Sequence, residues 1–412
     1  MHTTNFTNSR TVQGVDLLEV CKEFGTPVYV YDADKIVRQI HKMRSAFAGV
    51  NFKIKYAVKS LPNLSVLKLM KSQGLELDVV SIQEVQLGLL AGFAPEEILY
   101  TPNGVSFEEI QQAIALGVGI NIDNLPQLEQ FGKTYGNTVP CCIRLNPNIF
   151  AGGNTKISVG HIDSKFGIST HQSKDILAIV ENYNLNINGL HVHTGSDIVD
   201  AEVFLLGAQV IFDAAEHFSN LRFIDFGSGF KVPYTEEDPA TNLPSLGESM
   251  KSAFREFCKR YGRDLELWFE PGKFLVSEAG QLLVKTNVVK TTPATIFVGV
   301  DSGMNHLIRP MMYDAYHHME NISHQEGPRR TYTVVGYICE TDTLGSERTL
   351  HEVREGDVIA IHNAGAYGFS MASNYNSRLR PAEVLIINGE AKLIRERETL
   401  DDLLRHQIVI DI

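Results

Sequence analysis

The feature that most constrains the fold of this chain is a regular alternation of strand-like and helix-like segments between residues 32 and 270. Short apolar runs alternate with amphipathic stretches whose apolar residues recur at helical spacing. The strand-like runs are Asn51–Val58, Leu75–Val80, Ile98–Thr101, Gly119–Ile122, Val139–Leu145, Ile187–His193, Phe223–Phe226 and Leu265–Phe269. The helix-like stretches include Asp32–Phe47, Leu64–Gln73, Ile82–Ala91, Phe107–Leu116, Leu125–Tyr135 and Phe204–Phe218. This alternation predicts a parallel (β/α)8 barrel, with an open doubly wound sheet as the competing architecture.

The character of the sequence changes after residue 275. The segments there are short, rich in β-branched residues and rarely helical in spacing. They are Gln281–Lys290, Thr295–Val300, Thr331–Tyr337, Asp357–His362, Glu383–Ile387 and Ala391–Arg395. This pattern predicts a separate all-β domain, which we expect also to take the N-terminal strand-like segment Thr26–Tyr31. The predicted domains are residues 32–272 for the barrel, and residues 1–31 with 273–412 for the β domain.

Charge and cysteine content limit the partners and the compartment. The 412-residue chain carries a net charge of −12, which argues against nucleic acid or an anionic membrane surface as a partner. Its five cysteines include no Cys-x-x-Cys pair, so we expect neither a disulfide framework nor a structural zinc site. The N-terminus lacks the apolar core of a signal peptide, and no stretch approaches the roughly 20 apolar residues of a membrane span. These features predict a cytoplasmic protein.

Polar side chains follow most of the predicted barrel strands, where barrel enzymes place their reacting groups. Lys59 follows the first strand, Asp78 lies near the end of the second and Arg144 lies near the end of the fifth. The sixth strand leads into His191-Val-His193-Thr-Gly-Ser196. Each of these has an ordinary explanation, as a solvated lysine, a surface cation or a pair of core histidines. Two histidines at a spacing of two residues also fit a metal site.

Glycine-containing turns follow the last two predicted barrel strands. The seventh strand leads into Asp225-Phe-Gly227-Ser228-Gly229, where glycines allow backbone N–H groups to approach an anion closely. The eighth leads into Glu270-Pro271-Gly272-Lys273. Neither turn is specific alone, because turns use glycine routinely. Together the strand ends supply an amine, an anion cradle, a carboxylate and an imidazole, which is the set that pyridoxal 5′-phosphate (PLP) needs from a protein.

The predicted β domain contributes three further motifs. They are Arg309-Pro-Met-Met-Tyr313, Cys339-Glu340 and Gly365-Ala-Tyr367-Gly368. A buried cysteine is usually an inert apolar residue, but two acidic residues follow Cys339 within a short loop. Tyr367 has an ordinary explanation as an aromatic residue in a turn.

With these motifs the chain resembles the PLP-dependent decarboxylases of the alanine racemase fold (fold type III), and among them the diaminopimelate decarboxylases. The likeness spans about residues 25–405. Its motifs are Tyr56-Ala-Val-Lys59, His191–Ser196, Glu270–Lys273, Cys339-Glu340 and Gly365–Arg378. Two further stretches look more like diaminopimelate decarboxylases than ornithine decarboxylases. They are Arg144-Leu-Asn-Pro147, continuing to Lys156–Ile168, and Met304–Tyr316.

The resemblance implies a role for each motif. Lys59 would hold PLP through an imine, His193 would stack on the pyridine ring, Glu270 would bond the ring nitrogen and Cys339 would be the general acid. The further cofactor contacts would be Asp78, Arg144, Ser196, Gly227, Ser228, Gly229, Pro271, Gly272, Lys273 and Tyr367. The substrate contacts would be Lys273, Arg309, Tyr313, Glu340 and Tyr367. In this family the cysteine and glutamate come from the partner subunit, so the resemblance implies a homodimer with shared active sites.

The chain departs from the family pattern at four places. Lys273 stands where arginine is usual, and Asp197 stands where glutamine is common. Ser228 replaces one glycine of the phosphate turn, and Thr-Asp-Thr-Leu follows Cys339-Glu340 in place of Ser-Gly-Asp. An ammonium group is a point charge, whereas a guanidinium binds a carboxylate with two hydrogen bonds. These departures bear on how the substrate is recognised.

We therefore expect PLP-dependent decarboxylation of meso-2,6-diaminopimelate to L-lysine, the last step of lysine biosynthesis. The nearest alternative is a decarboxylase of ornithine, arginine or carboxynorspermidine. An alanine racemase would need a tyrosine base opposite the lysine and leaves Cys339-Glu340 unexplained. A metal-dependent barrel hydrolase would use His191 and His193 and predicts more histidines or aspartates at strand ends. A non-catalytic regulator of the same fold is expected to lack Lys59 or Cys339.

Overall fold

The computed structural model describes residues 10–148, 164–195, 197–235 and 237–412. They form two compact units. The barrel unit contains Gln39–Val232 and Pro239–Phe274. The β unit contains the chain up to Arg38, the short segment Pro233–Asp238 and Leu275–Ile412. The predicted domain limits, at residues 31/32 and 272/273, stay a proposal.

The secondary structure follows the predicted alternation. The strands, in chain order, are Thr11–Val12 (β1), Val15–Asp16 (β2), Val28–Asp32 (β3), Phe52–Ala57 (β4), Glu76–Val79 (β5), Ile98–Tyr100 (β6), Gly119–Ile122 (β7), Cys141–Asn146 (β8), Ile168–Ser169 (β9), Ile187–Val192 (β10), Phe223–Asp225 (β11), Glu266–Phe269 (β12), Gly280–Thr291 (β13), Ile296–Val300 (β14), Met319–Asn321 (β15), Arg329–Val335 (β16), Thr343–His351 (β17), Val358–Ile361 (β18), Ala382–Ile387 (β19) and Glu390–Arg395 (β20). The α-helices are Leu17–Phe24 (α1), Ala33–Ala46 (α2), Leu64–Ser72 (α3), Ile82–Leu90 (α4), Phe107–Ala115 (α5), Leu125–Tyr135 (α6), Ser173–Tyr183 (α7), Ala201–Ala215 (α8), Leu243–Tyr261 (α9), Lys273–Val276 (α10), Arg309–Tyr313 (α11) and Leu400–Leu404 (α12). Among the described residues, no helix has both the length and the apolar character that a membrane crossing requires.

Eight parallel strands close into a barrel in the barrel unit. Their order is β4-β5-β6-β7-β8-β10-β11-β12, and the pairing of β12 with β4 completes the ring. The two-residue strand β9 pairs with β8 outside this ring. All eight predicted strands are present, with ends within two residues of the predicted ones. The (β/α)8 prediction is confirmed, and the closing pair excludes the open doubly wound sheet.

Side-chain caps start the helices that follow several barrel strands. In each case the side-chain oxygen accepts a backbone N–H from the first turn of the helix. The capping residues of α3, α4, α5 and α6 are Asn63, Ser81, Ser106 and Asn124. Because a cap stops a helix from extending backwards, the residues between each strand and its cap form a short loop at the carboxyl end of the barrel. Lys59 lies in such a loop.

Large side chains fill the inside of the barrel below these loops. Leu99, Cys142, Phe223 and Trp268 form a buried cluster. The rings of Phe223 and Trp268 stack, with centroids 3.5 Å apart and planes within 6° of parallel. Gly189 in β10 leaves the space that this stack occupies, since a Cβ atom there would lie 2.1 Å from Cζ of Phe223. The barrel is therefore a packed core, and chemistry is confined to its mouth.

The β unit is built on a mixed sheet. The strand order is β17-β16-β14-β13-β3-β19-β20, and β15 and β18 pair alongside β13. The pairs β14–β16 and β3–β19 are parallel, and the other pairs of this sheet are antiparallel. The N-terminal strand β3 lies between β13 and β19, which confirms that this domain takes the N-terminal strand.

We expect Gly189→Ala to destabilise the barrel, because the added methyl group would overlap the Phe223 ring. Overpacking of a filled core lowers the free energy of unfolding by about 1–3 kcal/mol. Gly119→Ala is the matched control, since it makes the same change in another strand of the barrel, where the nearest atom would be 3.4 Å away. Urea denaturation of both variants measures the effect. Equal unfolding midpoints for the two variants would contradict the packing argument.

Candidate active site

Lys59 lies at the mouth of the barrel, just beyond the end of β4. It sits in a single 3₁₀ turn, Val58–Ser60. The turn after β12 packs directly on it, since a Cβ atom at Gly272 would lie 3.1 Å from the Ser60 side chain. Nζ of Lys59 is 3.3 Å from Oδ2 of Asp78 at the end of β5. The lysine side chain is 43% exposed and the aspartate 1%. A buried carboxylate thus holds an amine that stays accessible to a carbonyl compound.

Three buried groups meet at the carboxyl ends of β10, β11 and β12. His191, Asp225 and Glu270 each place one ligand atom within 4.8 Å of the others. Nε2 of His191 and Oε2 of Glu270 are 3.0 Å apart. Burial alone favours the neutral form of Glu270, but the charge and hydrogen bond of His191 outweigh it and lower the pKa of this carboxyl. Burial and the Glu270 charge raise the pKa of Asp225 well above its usual value, so the pKa values of the two carboxyls shift in opposite directions.

The second oxygen of Glu270 is the strongest sign of a bound group. Oε1 is buried and has no hydrogen-bond partner among the residues that the structure describes. A buried carboxylate oxygen without a donor is costly, and a ligand that donates a hydrogen bond to Oε1 would remove that cost. The protonated ring nitrogen of PLP is such a donor. The residues present therefore fit the cofactor at this end.

The turn after β11 fits the other end of the cofactor, the phosphate. Gly227 and Gly229 have φ angles of +60° and +133°, which favour glycine. A Cβ atom at Gly227 would lie 2.7 Å from the His193 ring, and one at Gly229 would lie 2.7 Å from Ile198. Ile198 also pairs with Phe230 in a parallel bridge, so the loops after β10 and β11 interlock. The N–H groups of Gly227 and Ser228 already donate to Asp225 and His193, so what the turn offers an anion is close approach to the backbone rather than a row of free donors.

His193 is held as a neutral ring beside this turn. The backbone N–H of Ser228 donates to Nδ1 of His193 over 3.1 Å, which places the ring proton on Nε2. Burial, followed by the charges of Arg144 and Lys59, lowers the pKa of His193 to about 3. The imidazole is therefore uncharged at pH 7. A flat, neutral and half-buried ring is suited to stacking on an aromatic cofactor.

The metal-dependent alternative requires His191 and His193 to share an ion. The two rings make different contacts, His191 with Glu270 and His193 with the N–H of Ser228. Within the described part of the chain, the one three-ligand group contains His191 but not His193. His191 and His193 therefore do not form the ligand pair that a metal-dependent hydrolase would use.

Two residues that depart from the family pattern, Lys273 and Asp197, contact each other. The ammonium of Lys273 pairs with the carboxylate of Asp197. Their side chains are only 12% and 23% exposed, so each charge depends on the other. Asp197 also adopts a left-handed φ of +62°. The lysine that replaces arginine is thus matched by the aspartate that replaces glutamine.

The remaining predicted barrel residues take different positions. Arg144 is buried in β8, with its guanidinium 4.8 Å from the centroid of the Phe166 ring. Burial lowers the pKa of Arg144, while the charges of Glu270, Asp123 and Asp78 oppose that effect. Pro271 accepts the backbone N–H of the last residue of β4 over 3.4 Å. Ser196 lies outside the described residues, as does most of the Lys156–Ile168 stretch.

The β unit brings its own predicted substrate residues together. The guanidinium carbon of Arg309 lies 5.8 Å from the ring centroids of Tyr234 and Tyr313, and 6.0 Å from that of Tyr367. The hydroxyl of Tyr234 accepts a hydrogen bond of 3.3 Å from Arg309. Nε of Arg309 is buried without a partner among the described residues. A guanidinium that lies among aromatic rings, and whose Nε–H has no partner among the described residues, is suited to binding a carboxylate.

Cys339 and Glu340 form a second group in the β unit. Oε1 of Glu340 accepts a hydrogen bond of 2.8 Å from the Tyr375 hydroxyl. Sγ of Cys339 lies 3.2 Å from Nδ2 and 3.6 Å from Oδ1 of Asn376. Cys339 is an exposed free cysteine, whereas Cys141, Cys142 and Cys258 are buried. An exposed thiol is accessible to a substrate.

Sequence reasoning missed three members of these groups. Tyr234, Tyr375 and Asn376 were not among the predicted site residues. Tyr234 follows Phe-Lys-Val-Pro directly after the glycine turn, and this proline-containing exit from the barrel is the only signal that the sequence offers. Tyr375 and Asn376 lie inside the long motif Gly365–Arg378, so their neighbourhood was marked but their contacts were not.

The chain is similar to PLP-dependent enzymes over nearly its whole length. Residues 33–277 match the family described as pyridoxal-dependent decarboxylase, pyridoxal binding domain. The diaminopimelate decarboxylase of Methanothermobacter thermautotrophicus is 37% identical over 408 residues, covering 97% of this chain and 95% of that protein. The Bacillus subtilis enzyme of the same name is 35% identical over 412 residues, covering 96% and 94%. The solved M. jannaschii diaminopimelate decarboxylase in complex with L-lysine has a TM-score of 0.90 and 32% identity, covering 98% of this chain and 97% of that one. The chain therefore belongs to the diaminopimelate decarboxylases, within the pyridoxal-dependent decarboxylase family.

Proposed function

We propose that this chain converts meso-2,6-diaminopimelate to L-lysine and CO₂ with PLP as its cofactor. The observation that carries the proposal is the full-length similarity to diaminopimelate decarboxylases, at 37% identity in sequence and a TM-score of 0.90 in structure. One of these solved relatives is complexed with L-lysine, which is the product expected here. The geometry at the mouth of the barrel supports the same reaction class.

The barrel residues have separate tasks in this proposal. When PLP is bound, its ring withdraws the electron pair that remains on the substrate α-carbon after CO₂ leaves. Lys59 supplies the amine that holds the cofactor, and Asp78 keeps that amine at the barrel mouth. With PLP bound, the charged Glu270 would keep a proton on the ring nitrogen through Oε1, which has no partner among the described residues. The neutral His193 would contact the cofactor without adding a second positive charge.

The β-unit residues bind the substrate and return a proton. Arg309, held among Tyr234, Tyr313 and Tyr367, binds a substrate carboxylate. Cys339 donates a proton to the α-carbon, while Glu340 contacts the substrate. The reaction breaks one carbon–carbon bond, releases CO₂ and adds one proton to the carbon that carried the carboxylate.

We also propose a homodimer in which Cys339 and Glu340 complete the site of the partner subunit. The support is the resemblance in these motifs and the exposure of Cys339. The cytoplasm is the proposed compartment, since the described chain has five free cysteines and one of them is exposed.

The proposed substrate is tested by a panel of amino acids with CO₂ release measured for each. We expect meso-diaminopimelate to give the highest kcat/KM, with ornithine and arginine at least about 100-fold lower, because a site built for a distal carboxylate leaves its cation unpaired with these substrates. Arg309→Lys is the companion variant and should raise KM for meso-diaminopimelate. If ornithine outperforms meso-diaminopimelate, the substrate assignment is wrong.

Glu270→Gln should leave PLP bound and lower kcat sharply. Without the carboxylate charge the ring nitrogen tends to lose its proton, and the electron sink weakens. We expect a loss of about 100-fold or more in kcat, of the size seen when one charge-stabilising group is removed from an active site. Absorbance of the bound cofactor and CO₂ release are measured on the same sample. Bound PLP with unchanged kcat would refute the role of Glu270.

Mixed dimers test whether the site is shared. Lys59→Ala and Cys339→Ala homodimers should each be nearly inactive. In a heterodimer with a shared site, one of the two sites carries both changes and the other carries neither. Random exchange of equal amounts should therefore restore about a quarter of the wild-type activity. Subunit exchange is verified by native mass spectrometry with one subunit isotope-labelled, and exchange without recovery would show that each site is self-contained.

A further inference from the structure

Asn376 contacts the sulfur of Cys339, as does the hydroxyl of the neighbouring Tyr375. Its amide presents both of its polar atoms to Sγ, with Nδ2 at 3.2 Å and Oδ1 at 3.6 Å. An amide is the side-chain group that offers a donor and an acceptor side by side. Nδ2–H donates to a thiolate, and Oδ1 accepts from a thiol. The same residue can therefore stabilise the sulfur before and after it gives up a proton.

The backbone around Asn376 is shaped to make this contact. Asn376 and Ser377 both have left-handed φ angles, of +57° and +55°. Two consecutive non-glycine residues in this region are uncommon, and asparagine tolerates it better than most. Such conformations persist where the surrounding structure requires them, often at functional sites. Here they turn the amide of Asn376 towards the Cys339 loop.

A second contact holds the two loops in register. Tyr375, the residue before Asn376, donates its hydroxyl to Oε1 of Glu340, the residue after Cys339. Glu340 and Cys339 raise the pKa of Tyr375 to about 12, so the phenol keeps its proton and remains a donor. Tyr375 and Asn376, consecutive in one loop, thus contact Glu340 and Cys339, consecutive in the other.

We propose that Asn376 is a positioning residue for Cys339, whose amide bonds the sulfur in both its thiol and thiolate states and so prepares it to give and regain a proton. The inference rests on the proposed function, in which Cys339 is the general acid. It goes further in naming a group that bonds and orients the sulfur. Asn376 itself touches neither the substrate nor the cofactor in this proposal.

The test uses alkylation of Cys339 by iodoacetamide in the PLP-loaded enzyme, followed over pH and located by peptide mass spectrometry. Cys339 is the exposed cysteine, and burial raises the pKa of Cys21 and Cys141 to about 12, so the sites are separable. In Asn376→Ala the thiolate loses its amide donor and keeps the Tyr375 hydroxyl. We expect the midpoint of alkylation to move up by about one pH unit, equivalent to a tenfold loss of thiolate.

Asn376→Asp is the sharper variant, because it keeps the shape and the acceptor but removes the donor. The new carboxylate also repels the thiolate, so the shift in Asn376→Asp is interpreted only together with that in Asn376→Ala. If the amide serves the thiolate, Asn376→Asp should shift the midpoint at least as far as Asn376→Ala. In both variants kcat for CO₂ release should fall about tenfold with KM changed less than about threefold, since the contact acts on proton transfer rather than on binding.

Asn374→Ala is the matched control. It removes an amide from the same loop, but that amide binds the carbonyl of Arg378 and the carboxylate of Glu398 rather than the sulfur. Its alkylation midpoint should stay at the wild-type value. Thermal unfolding followed by circular dichroism is run on all variants, and comparisons are made between those that unfold at similar temperatures.

Three outcomes would overturn the proposal. They are an unmoved midpoint in Asn376→Ala, equal shifts in Asn376→Ala and Asn374→Ala, and a shifted midpoint with wild-type kcat. Alkylation does not require turnover, so failure of the proposal for Asn376 can be distinguished from failure of the proposed function. The latter would appear as absence of CO₂ release by the wild-type enzyme from any amino acid in the panel.

Discussion

The pairing of β12 with β4 is the interaction on which the site depends. It places Trp268 opposite Lys53 and Phe269 opposite Ile54, so the residues beyond each strand emerge side by side. The Pro271 carbonyl accepts a hydrogen bond from the end of β4, and Gly272 allows the turn to lie against the loop that holds Lys59. An amine and a carboxylate from opposite ends of the barrel sequence are thereby fixed at one mouth. Closure of the barrel, rather than any local motif, brings the two reactive groups together.

This arrangement concentrates buried carboxyl groups, which a positively charged group of the cofactor would stabilise. Asp78, Asp225 and Glu270 are all buried, and burial raises the pKa of the two aspartates. The contact with His191 lowers the pKa of Glu270, while burial and the Glu270 charge raise that of Asp225. One oxygen of Glu270 has no hydrogen-bond partner among the described residues. Because a buried carboxylate oxygen without a donor is unfavourable, a cationic donor at this place would stabilise the cluster.

The sequence predicted the barrel and its strand ends because both follow from local patterns. Strand and helix periodicities differ, and a residue at a strand end in a parallel barrel can lie only at the mouth, so Lys59 and Glu270 could be placed from spacing. The polar strand β17 (Thr343–His351) was not predicted, since it has little apolar alternation. The contacts of Tyr234 and Asn376 were missed for a different reason. They depend on loop conformations, including a left-handed φ at Asn376, that sequence spacing does not encode.

The contact between Lys273 and Asp197 shows how a family pattern can change without loss of the site. A lysine in place of arginine cannot form the two parallel hydrogen bonds of a guanidinium. An aspartate in place of glutamine adds a negative charge. Taken separately, the second change would leave a carboxylate largely buried beside the turn Gly227–Gly229. Taken together, the two side chains neutralise each other, at 12% and 23% exposure. The pair therefore adds no net charge near the turn. Because the N–H groups of Gly227 and Ser228 already donate to Asp225 and His193, an anion there would depend on the remaining donors of the site more than it would beside an unpaired arginine.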